Sequence, residues 1–293
     1  MRNLTAFKGI IACPACRVSL GEERGTPRCA SCGISYPVEN GSPVLLTPRG
    51  RVEATEMLER PGGRRMRTAY GGEDPFLRTV KLAARLISSE FAPLRKRFRR
   101  PIMDLLESGG KVLEVGSGAR RIFPGVLNLD IAPFPGVDIV GMADELPVAD
   151  DTLDGVILEV TLEHVRNLPK AAAEAVRVLR PGGRVFAVLP FVFPFHGHPD
   201  DFWRATMPGL RELFKPLSVE DSGVYHGPAS MLINVLSDVP AGIVFPGHGR
   251  GYMVLKGLCL IPIFWLKYAD FLLVRLPGSL HYASTLFLVG RKK

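Results

Sequence analysis

The segment that most constrains the fold is the apolar run Lys111–Val115, which leads directly into Gly116-Ser117-Gly118. It predicts a short buried strand followed by a tight turn, because glycine accepts positive φ and lets a ligand approach the main chain closely. Further apolar runs follow, most of them ending at or near an acidic residue: 126–130, 138–140, 154–158 and 184–189. Strands that alternate with helices or loops indicate an α/β fold with a parallel sheet. Acids at the carboxyl ends of such strands converge on one crevice.

Three more motifs lie between these runs: Ala-Asp-Glu-Leu-Pro at 143–147, Leu-Glu-His-Val at 162–165, and Arg-Val-Leu-Arg-Pro-Gly-Gly at 177–183. With the glycine turn, they resemble the class I S-adenosylmethionine-dependent methyltransferases of the type 11-like group. The resemblance covers about residues 76–293 and is clearest from 111 to 189. It implies a Rossmann-like, seven-stranded, mostly parallel sheet, with strands six and seven at 217–224 and 284–290.

The same resemblance implies S-adenosyl-L-methionine as cofactor. In that family the glycine loop faces the methionine part, the acid at Asp130 binds the ribose hydroxyls, and the acid at Asp144 approaches the adenine. The residues assigned to the cofactor in this way are Glu114, Gly116, Ser117, Gly118, Asp130, Asp144, Glu145, Leu146 and Glu159.

The chain departs from the family pattern in the first crossover. Arg120 stands where the family has a third glycine, and Asp130 follows Gly118 too closely for a full helix. We therefore expect a helical turn or two at most there. The departure supports a rival hypothesis, a non-catalytic scaffold with a degenerate methyltransferase fold.

Two Cys-x-x-Cys pairs, Cys13/Cys16 and Cys29/Cys32, are separated by twelve residues. Two such turns can complete a tetrahedral four-sulfur site, and a segment this short benefits from a structural metal. We predict a structural zinc; iron, a redox pair and disulfides are the alternatives. The run through Tyr36-Pro37-Val38 resembles small zinc-ribbon subunits that activate tRNA and release-factor methyltransferases, and a ribbon also precedes the catalytic domain of bacterial ribosomal-RNA guanine-N1 methyltransferases. We predict a zinc-ribbon domain at 1–48, a linker with a short helix at 49–75, and the methyltransferase domain at 76–293.

Charge is concentrated in one segment. Residues 49–100 contain 14 Lys and Arg and 6 Asp and Glu, an excess of 14 − 6 = 8 that equals the net charge of the whole chain, +8. Such a segment indicates an anionic partner or a solvated surface. Because aromatic residues are sparse in it, we favour a small-molecule, glycan or lipid-linked acceptor with contact to an anionic membrane, and keep an RNA or protein acceptor as alternatives.

Residues 225–283 form an apolar insertion, predicted to be helical. It can supply core helices over the active site or an interfacial surface at a membrane. The sequence shows no signal peptide and no clear transmembrane helix, so we expect a cytoplasmic protein that can associate with membranes.

A hydroxyl acceptor needs a general base, whereas an amine needs only orientation. The catalytic candidates lie after the fourth and fifth strands: Glu159, His164, His196 and Asp201, with Glu163, His198 and Asp200 nearby. A second metal in the 196–201 loop is a lesser alternative to a hydrogen-bonded substrate loop. No Asn-Pro-Pro-Tyr or Asp-Pro-Pro-Tyr motif follows the fourth strand, which argues against exocyclic-amine and glutamine acceptors.

Overall fold

A computed structural model describes residues 7, 9–23, 25–64, 87–93, 95–119, 121–197, 199–246 and 249–293. Its centre is a seven-stranded sheet made of β5 (Val112–Val115), β6 (Leu127–Asp130), β7 (Ile139–Val140), β8 (Leu153–Glu159), β9 (Leu179–Pro190), β10 (Leu217–His226) and β11 (Thr285–Lys292). The strand order is β10-β11-β9-β8-β5-β6-β7. Strands β5 to β9 pair in parallel, and β11 runs antiparallel between β9 and β10. The predicted seven-stranded, mostly parallel sheet is confirmed.

The N-terminal ribbon consists of two small antiparallel pairs. Strands β1 (Leu20–Glu23) and β2 (Thr26–Cys29) form one pair, and β3 (Val38–Glu39) and β4 (Ser42–Pro43) form the other. The ribbon docks on the β7 edge of the large sheet. There, Val44 makes a parallel bridge to Val140 and Leu45 N donates to Val140 O at 2.8 Å. Its core is continuous with the core of the large sheet.

The helices are α1 (Pro48–Glu59), α2 (Arg95–Glu107), α3 (Leu168–Val178), α4 (Met207–Leu213), α5 (Pro228–Val244), α6 (Arg250–Leu260) and α7 (Asp270–Leu273). Short 3-10 turns occupy Leu162–His164, Phe264–Ala269 and Pro277–His281. The described part of 116–126 has turns and no helix, as the short first crossover predicted; Arg120 lies outside the described residues. Between β10 and β11, the regular structure of the described residues is helical; the insertion at 225–283 as a unit stays a prediction.

One helix differs from its prediction. The sequence suggested an amphipathic helix from 75 to 98, a basic cluster after it, and a separate helix from Pro101. Most of 75–98 lies outside the described residues, but α2 starts at Arg95 and continues through Pro101. The basic cluster therefore lies on the helix, whose apolar side chains Phe98 and Ile102 are fully buried. Their burial outweighs the interior proline, which removes only one backbone donor.

Helix α1 occupies the start of the predicted linker. Thr47 caps it by accepting from Gly50 N at 3.0 Å, and Pro48 fits its first turn. Ala54 and Met57 are buried in a cluster with Val140 and Met142 of the large sheet. The domain boundaries at 48, 49–75 and 76 stay predictions.

Candidate functional site

A cavity of about 150 Å³ opens at the carboxyl ends of β5, β6, β7 and β8. This is the crevice where ligands bind in open parallel sheets. The residues that line it are Glu53, Met57, Val115, Gly116, Gly118, Leu129, Asp130, Ile131, Gly141, Met142, Ala143, Asp144, Val160, Thr161, His164, Val165, Arg166, Asn167 and Pro199. Of the predicted cofactor residues, Gly116, Gly118, Asp130 and Asp144 belong to this lining.

The glycine turn needs glycine for two separate reasons. Gly116 and Gly118 have φ values of 75° and 59°, in the left-handed region that L side chains rarely adopt. A Cβ on Gly116 would also lie 2.4 Å from the side chain of Thr161. Thr161 is itself fixed, because its Oγ1 donates to Val115 O at 2.9 Å. The turn therefore presents bare backbone to the cavity.

Asp130 closes the turn from the next strand. Its Oδ2 accepts from Gly118 N at 2.8 Å and its Oδ1 accepts from Ile131 N at 2.8 Å. Burial raises the pKa of Asp130 to about 6, although these backbone donors oppose the shift. The carboxylate lies at the position that the family resemblance assigns to ribose binding.

Asp144 lies at the opposite end of the cavity under α1. Its Oδ2 accepts from Arg49 Nη2 at 3.1 Å, while its buried Oδ1 has no hydrogen-bond partner among the described residues. The neighbouring Glu145 binds Thr47 Oγ1 at 2.6 Å and Lys170 Nζ at 3.0 Å instead. A buried acceptor without a donor is costly, so Asp144 Oδ1 suits an incoming amine.

Several predicted cofactor residues do not line the cavity. Glu159 faces away from it and accepts from Tyr225 Oη at 2.6 Å and Arg99 Nη2 at 3.2 Å. Burial and the neighbouring Glu159 raise the pKa of Glu114 to about 7. Ser117 and Leu146 are buried. The cofactor roles of these four and of Glu145, and the catalytic role of Glu159, stay predictions.

The other catalytic candidates form one cluster, which we call the carboxylate–histidine cluster: Glu163, His164, His196 and Asp201. His196 lies between two carboxylates, with Nδ1 at 3.1 Å from Asp201 Oδ2 and Nε2 at 3.5 Å from Glu163 Oε1. Burial favours its neutral ring, but the two carboxylates raise the pKa of His196 to about 9. Burial raises the pKa of Asp201, but Arg204 and His196 nevertheless hold that pKa well below its usual range. His198 lies outside the described residues.

The comparisons with known proteins concern the same part of the chain. A family model described as a methyltransferase domain matches residues 122–187. The demethylmenaquinone methyltransferase of Renibacterium salmoninarum is 31% identical over 121 residues, which are 35% of this chain and 51% of that protein. A ubiquinone/menaquinone biosynthesis C-methyltransferase of Paracoccus denitrificans is 47% identical over 53 residues, 18% of this chain and 21% of that protein.

Residues 122–187 therefore resemble a methyltransferase domain, and they include β6, β7, β8 and most of β9. Among solved structures, phosphoethanolamine N-methyltransferase 2 of Haemonchus contortus in complex with S-adenosyl-L-methionine aligns with a TM-score of 0.40 and 14% identity, over 66% of this chain and 52% of that chain. The chain spans about half the length, or less, of the curated relatives that it matches.

The lining of the cavity fits S-adenosyl-L-methionine, the cofactor that the resemblance to methyltransferases implies. The glycine turn leaves room that a Cβ would fill, Asp130 offers a carboxylate, and Asp144 Oδ1 is buried without a donor. Leu129, Ile131 and Met142 supply apolar lining between these polar groups. Such a cradle suits an adenosine with a charged tail.

The four ribbon cysteines converge. Their sulfurs lie within 4.8 Å of one another, with Cys13 Sγ at 3.7 Å from Cys32 Sγ and Cys16 Sγ at 3.2 Å from Cys29 Sγ. None of them forms a disulfide. Four thiolates at these spacings fit tetrahedral zinc, which binds sulfur at about 2.3 Å. Zinc as the resident ion stays a prediction.

Sequence reasoning missed the residues that α1 contributes. Glu53 and Met57 line the cavity, and Arg49 pairs with Asp144 and with Glu145 Oε1 at 2.8 Å. They lie in the segment that the sequence predicts to be a linker, and the arginines of that segment indicate an external anionic partner. The amphipathic spacing of Ala54 and Met57 after Thr47-Pro48 was the available signal.

Proposed function

We propose that this protein is an S-adenosylmethionine-dependent methyltransferase that acts on a small-molecule or lipid-linked acceptor at an anionic membrane surface. The observation that carries the activity is the cavity in which the glycine turn, Asp130 and Asp144 lie at the ends of adjacent parallel strands. When bound there, the cofactor would supply an electrophilic methyl group on a sulfonium sulfur for displacement by the acceptor, with S-adenosylhomocysteine as the leaving group.

The residues of this chain mainly bind and orient in such a displacement. Asp130 would accept from the ribose hydroxyls, and Asp144 from the adenine amine. His164 lines the cavity beyond the glycine turn. It is therefore the catalytic candidate that an acceptor bound in the cavity would contact.

The acceptor class is supported by the surface of the insertion. Most of the large apolar side chains that the described residues expose to solvent lie on it: Leu232, Leu236, Val239, Ile243, Val244, Phe245, Val254, Leu258, Ile261, Trp265, Tyr268, Phe271, Leu272, Leu276, Leu280 and Tyr282. We call this set the apolar face. Soluble monomers rarely expose a contiguous surface of this kind without a partner.

Most charged side chains of the insertion are buried or paired within the protein, whereas Arg250 and Arg275 are exposed. Asp270 is fully buried and accepts from Ser230 Oγ at 2.6 Å, and Lys256 Nζ pairs with Asp238 at 2.7 Å. Lys267 is 5% exposed and donates to Ser88 O at 2.7 Å. With polar groups inside and apolar groups outside, the insertion suits the boundary of a lipid layer. Among the described residues no single helix could cross a membrane; α6 and Phe264–Leu273 meet length and composition criteria only as a pair bent by 62°.

The structure of the basic segment, residues 49–100, supports an electrostatic contribution to membrane binding less strongly than its composition suggests. Arg60 pairs with Asp200 at 2.7 Å, Arg97 with Asp221, and Arg99 with Glu159 at 3.2 Å. These side chains neutralise acids of the same protein. We therefore attribute membrane contact mainly to the apolar face.

Two measurements test the proposal. Calorimetry with S-adenosylhomocysteine should show binding that Asp130→Ala abolishes, and the absence of binding by the wild type would favour the scaffold hypothesis. Transfer from methyl-labelled cofactor to fractionated extract should place label in lipid and glycan fractions; label in RNA or protein would reverse the acceptor ranking.

The membrane contact has its own test. The protein should sediment with anionic liposomes, and salt should weaken but not abolish this because apolar burial is not screened. Ile243→Asp combined with Leu272→Asp should abolish it, whereas Val219→Asp, an exposed position on β10, should not. Salt-sensitive RNA binding without liposome binding would contradict the proposal.

A further inference from the structure

The carboxylate–histidine cluster contains a buried acid whose environment the proposed function does not explain. Glu163 is fully buried, and neither of its carboxylate oxygens has a hydrogen-bond partner among the described residues. The nearest cationic or donor groups given by the structure are His196 Nε2 at 3.5 Å and His164 Nε2 at 3.8 Å. Both separations exceed the 2.7–3.2 Å or so of an N–H···O hydrogen bond. Ion pairing with protonated His196 offsets part of the desolvation cost of this buried carboxylate, but both its oxygens still lack a hydrogen-bond donor among the described residues.

Both histidines use their Nδ1 atoms elsewhere. His164 Nδ1 lies 2.5 Å from Asp200 O, and a carbonyl oxygen can only accept, so Nδ1 carries a proton and the lone pair of the neutral ring is on Nε2. His196 Nδ1 lies 3.1 Å from Asp201 Oδ2, a carboxylate held in place by Arg204. An oxygen atom close to each Nδ1, with the two Nε2 atoms 3.8 and 3.5 Å from Glu163 Oε1, resembles the arrangement that orients metal-binding histidines.

We propose that Glu163 Oε1, His164 Nε2 and His196 Nε2 form a second metal site, for a divalent transition-metal ion such as zinc. The three residues can place one ligand atom each within 4.8 Å of one another. Ions of this kind bind imidazole nitrogen and carboxylate oxygen at about 2.0–2.2 Å, so only a small closure of the three atoms is required. Two imidazoles and one carboxylate favour zinc, iron or cobalt over magnesium or calcium, which prefer oxygen ligands.

The site is separate from the ribbon cysteines and adjoins the cofactor cavity. Three protein ligands leave a coordination position open, as in catalytic rather than structural zinc sites. His164 belongs to both the cluster and the cavity lining. An oxygen of the acceptor, such as a hydroxyl, carboxylate or phosphate oxygen, is the chemical group that such a position would hold. This last role rests on the proposed function; metal binding itself does not.

Metal stoichiometry of the full chain provides the test. The wild type, loaded with zinc and freed of excess ion by gel filtration, should hold two zinc ions per chain by elemental analysis. Glu163→Gln and His164→Gln should hold one. His226→Gln should hold two, because His226 lies on β10 outside the cluster and its Nδ1 pairs with Thr285. Asp201→Asn, which removes an outer partner only, should weaken the second ion by roughly 10–100-fold.

Cobalt distinguishes the two sites by their ligands. Added to protein that already holds one zinc, a cobalt equivalent should give a visible spectrum without thiolate-to-metal charge-transfer bands. A wild type that holds a single ion overturns the proposal without any variant, as does a second ion that persists in Glu163→Gln or gives thiolate bands. Because no cofactor or acceptor enters these measurements, their failure is distinct from a failure to bind S-adenosylhomocysteine.

Discussion

The strongest quantitative prediction concerns the pH dependence of cofactor binding through Asp130. Burial raises its pKa from the ordinary 3.8 to about 6. Ionisation therefore costs the folded chain about 3 kcal/mol, since one pKa unit is about 1.4 kcal/mol. The protonated Asp130 carboxyl therefore stabilises the folded chain relative to the unfolded chain. This stabilisation is fully present below about pH 3.8 and is lost as pH rises through about 6. Cofactor binding has the opposite sign, because ribose hydroxyls donate to the ionised carboxylate.

Binding of S-adenosylhomocysteine should consequently strengthen as pH rises. At pH 5, about one unit below the folded pKa, only about a tenth of the Asp130 side chains are ionised, so the dissociation constant should be about tenfold higher than at pH 8. Binding near pH 6 should also release protons. Calorimetry in buffers of different ionisation enthalpy measures both quantities.

A control separates Asp130 from the other acid that titrates in this range. Glu114, with a pKa of about 7, does not line the cavity, so Glu114→Gln should keep the step near pH 6. Asp130→Asn should bind weakly at every pH. A wild-type dissociation constant that is constant from pH 5 to 8, or undiminished affinity in Asp130→Asn, would refute the assignment.

Two further predictions use matched variants. Gly116→Ala should weaken S-adenosylhomocysteine binding by more than about tenfold, because a left-handed φ costs roughly 1–2 kcal/mol and the new Cβ displaces Thr161. Gly125→Ala, with φ +85° but open space around it, should change only thermal stability. Equal binding losses in both variants would contradict the steric argument. Cys29→Ser should release zinc and expose the ribbon backbone to hydrogen exchange, whereas Cys259→Ser on α6 should do neither. A ribbon that stays protected from exchange after chelation would show that the metal is dispensable.

The sheet was predictable because its strands are short apolar runs with clear punctuation. Val112–Val115 and Leu127–Asp130 are buried at every position, as expected when helices cover both faces of a parallel sheet. Gly116, Asp130 and Asp144 could be placed because family motifs give their positions within those strands. The convergence of the four ribbon cysteines was predictable from their spacing alone.

Other features depend on contacts that no local pattern encodes. The carboxyl group of Glu159 stands at a strand end like those of the other acids, yet Arg99 on α2 and Tyr225 on β10 turn it away from the cavity. The partners of Arg49 lie about a hundred positions along the chain, so a local charge count could not find them. The buried charges of the insertion likewise pair with groups far along the chain, Asp270 with Ser230 and Lys267 with Ser88.

Helix α1 connects the ribbon to the cavity, so we expect metal binding by the ribbon and ligand binding in the cavity to be coupled. The helix begins at Pro48, two residues after Leu46, which packs in one buried cluster with Ala54 and Met57, and its Glu53 and Met57 border the cavity. A ligand that binds at the ribbon or in the cavity and stabilises the position of α1 therefore stabilises it for the other site as well. By thermodynamic reciprocity, whatever factor zinc adds to the affinity for S-adenosylhomocysteine, S-adenosylhomocysteine must add to the affinity for zinc. A cell short of zinc would then lose methylation capacity in proportion to that coupling.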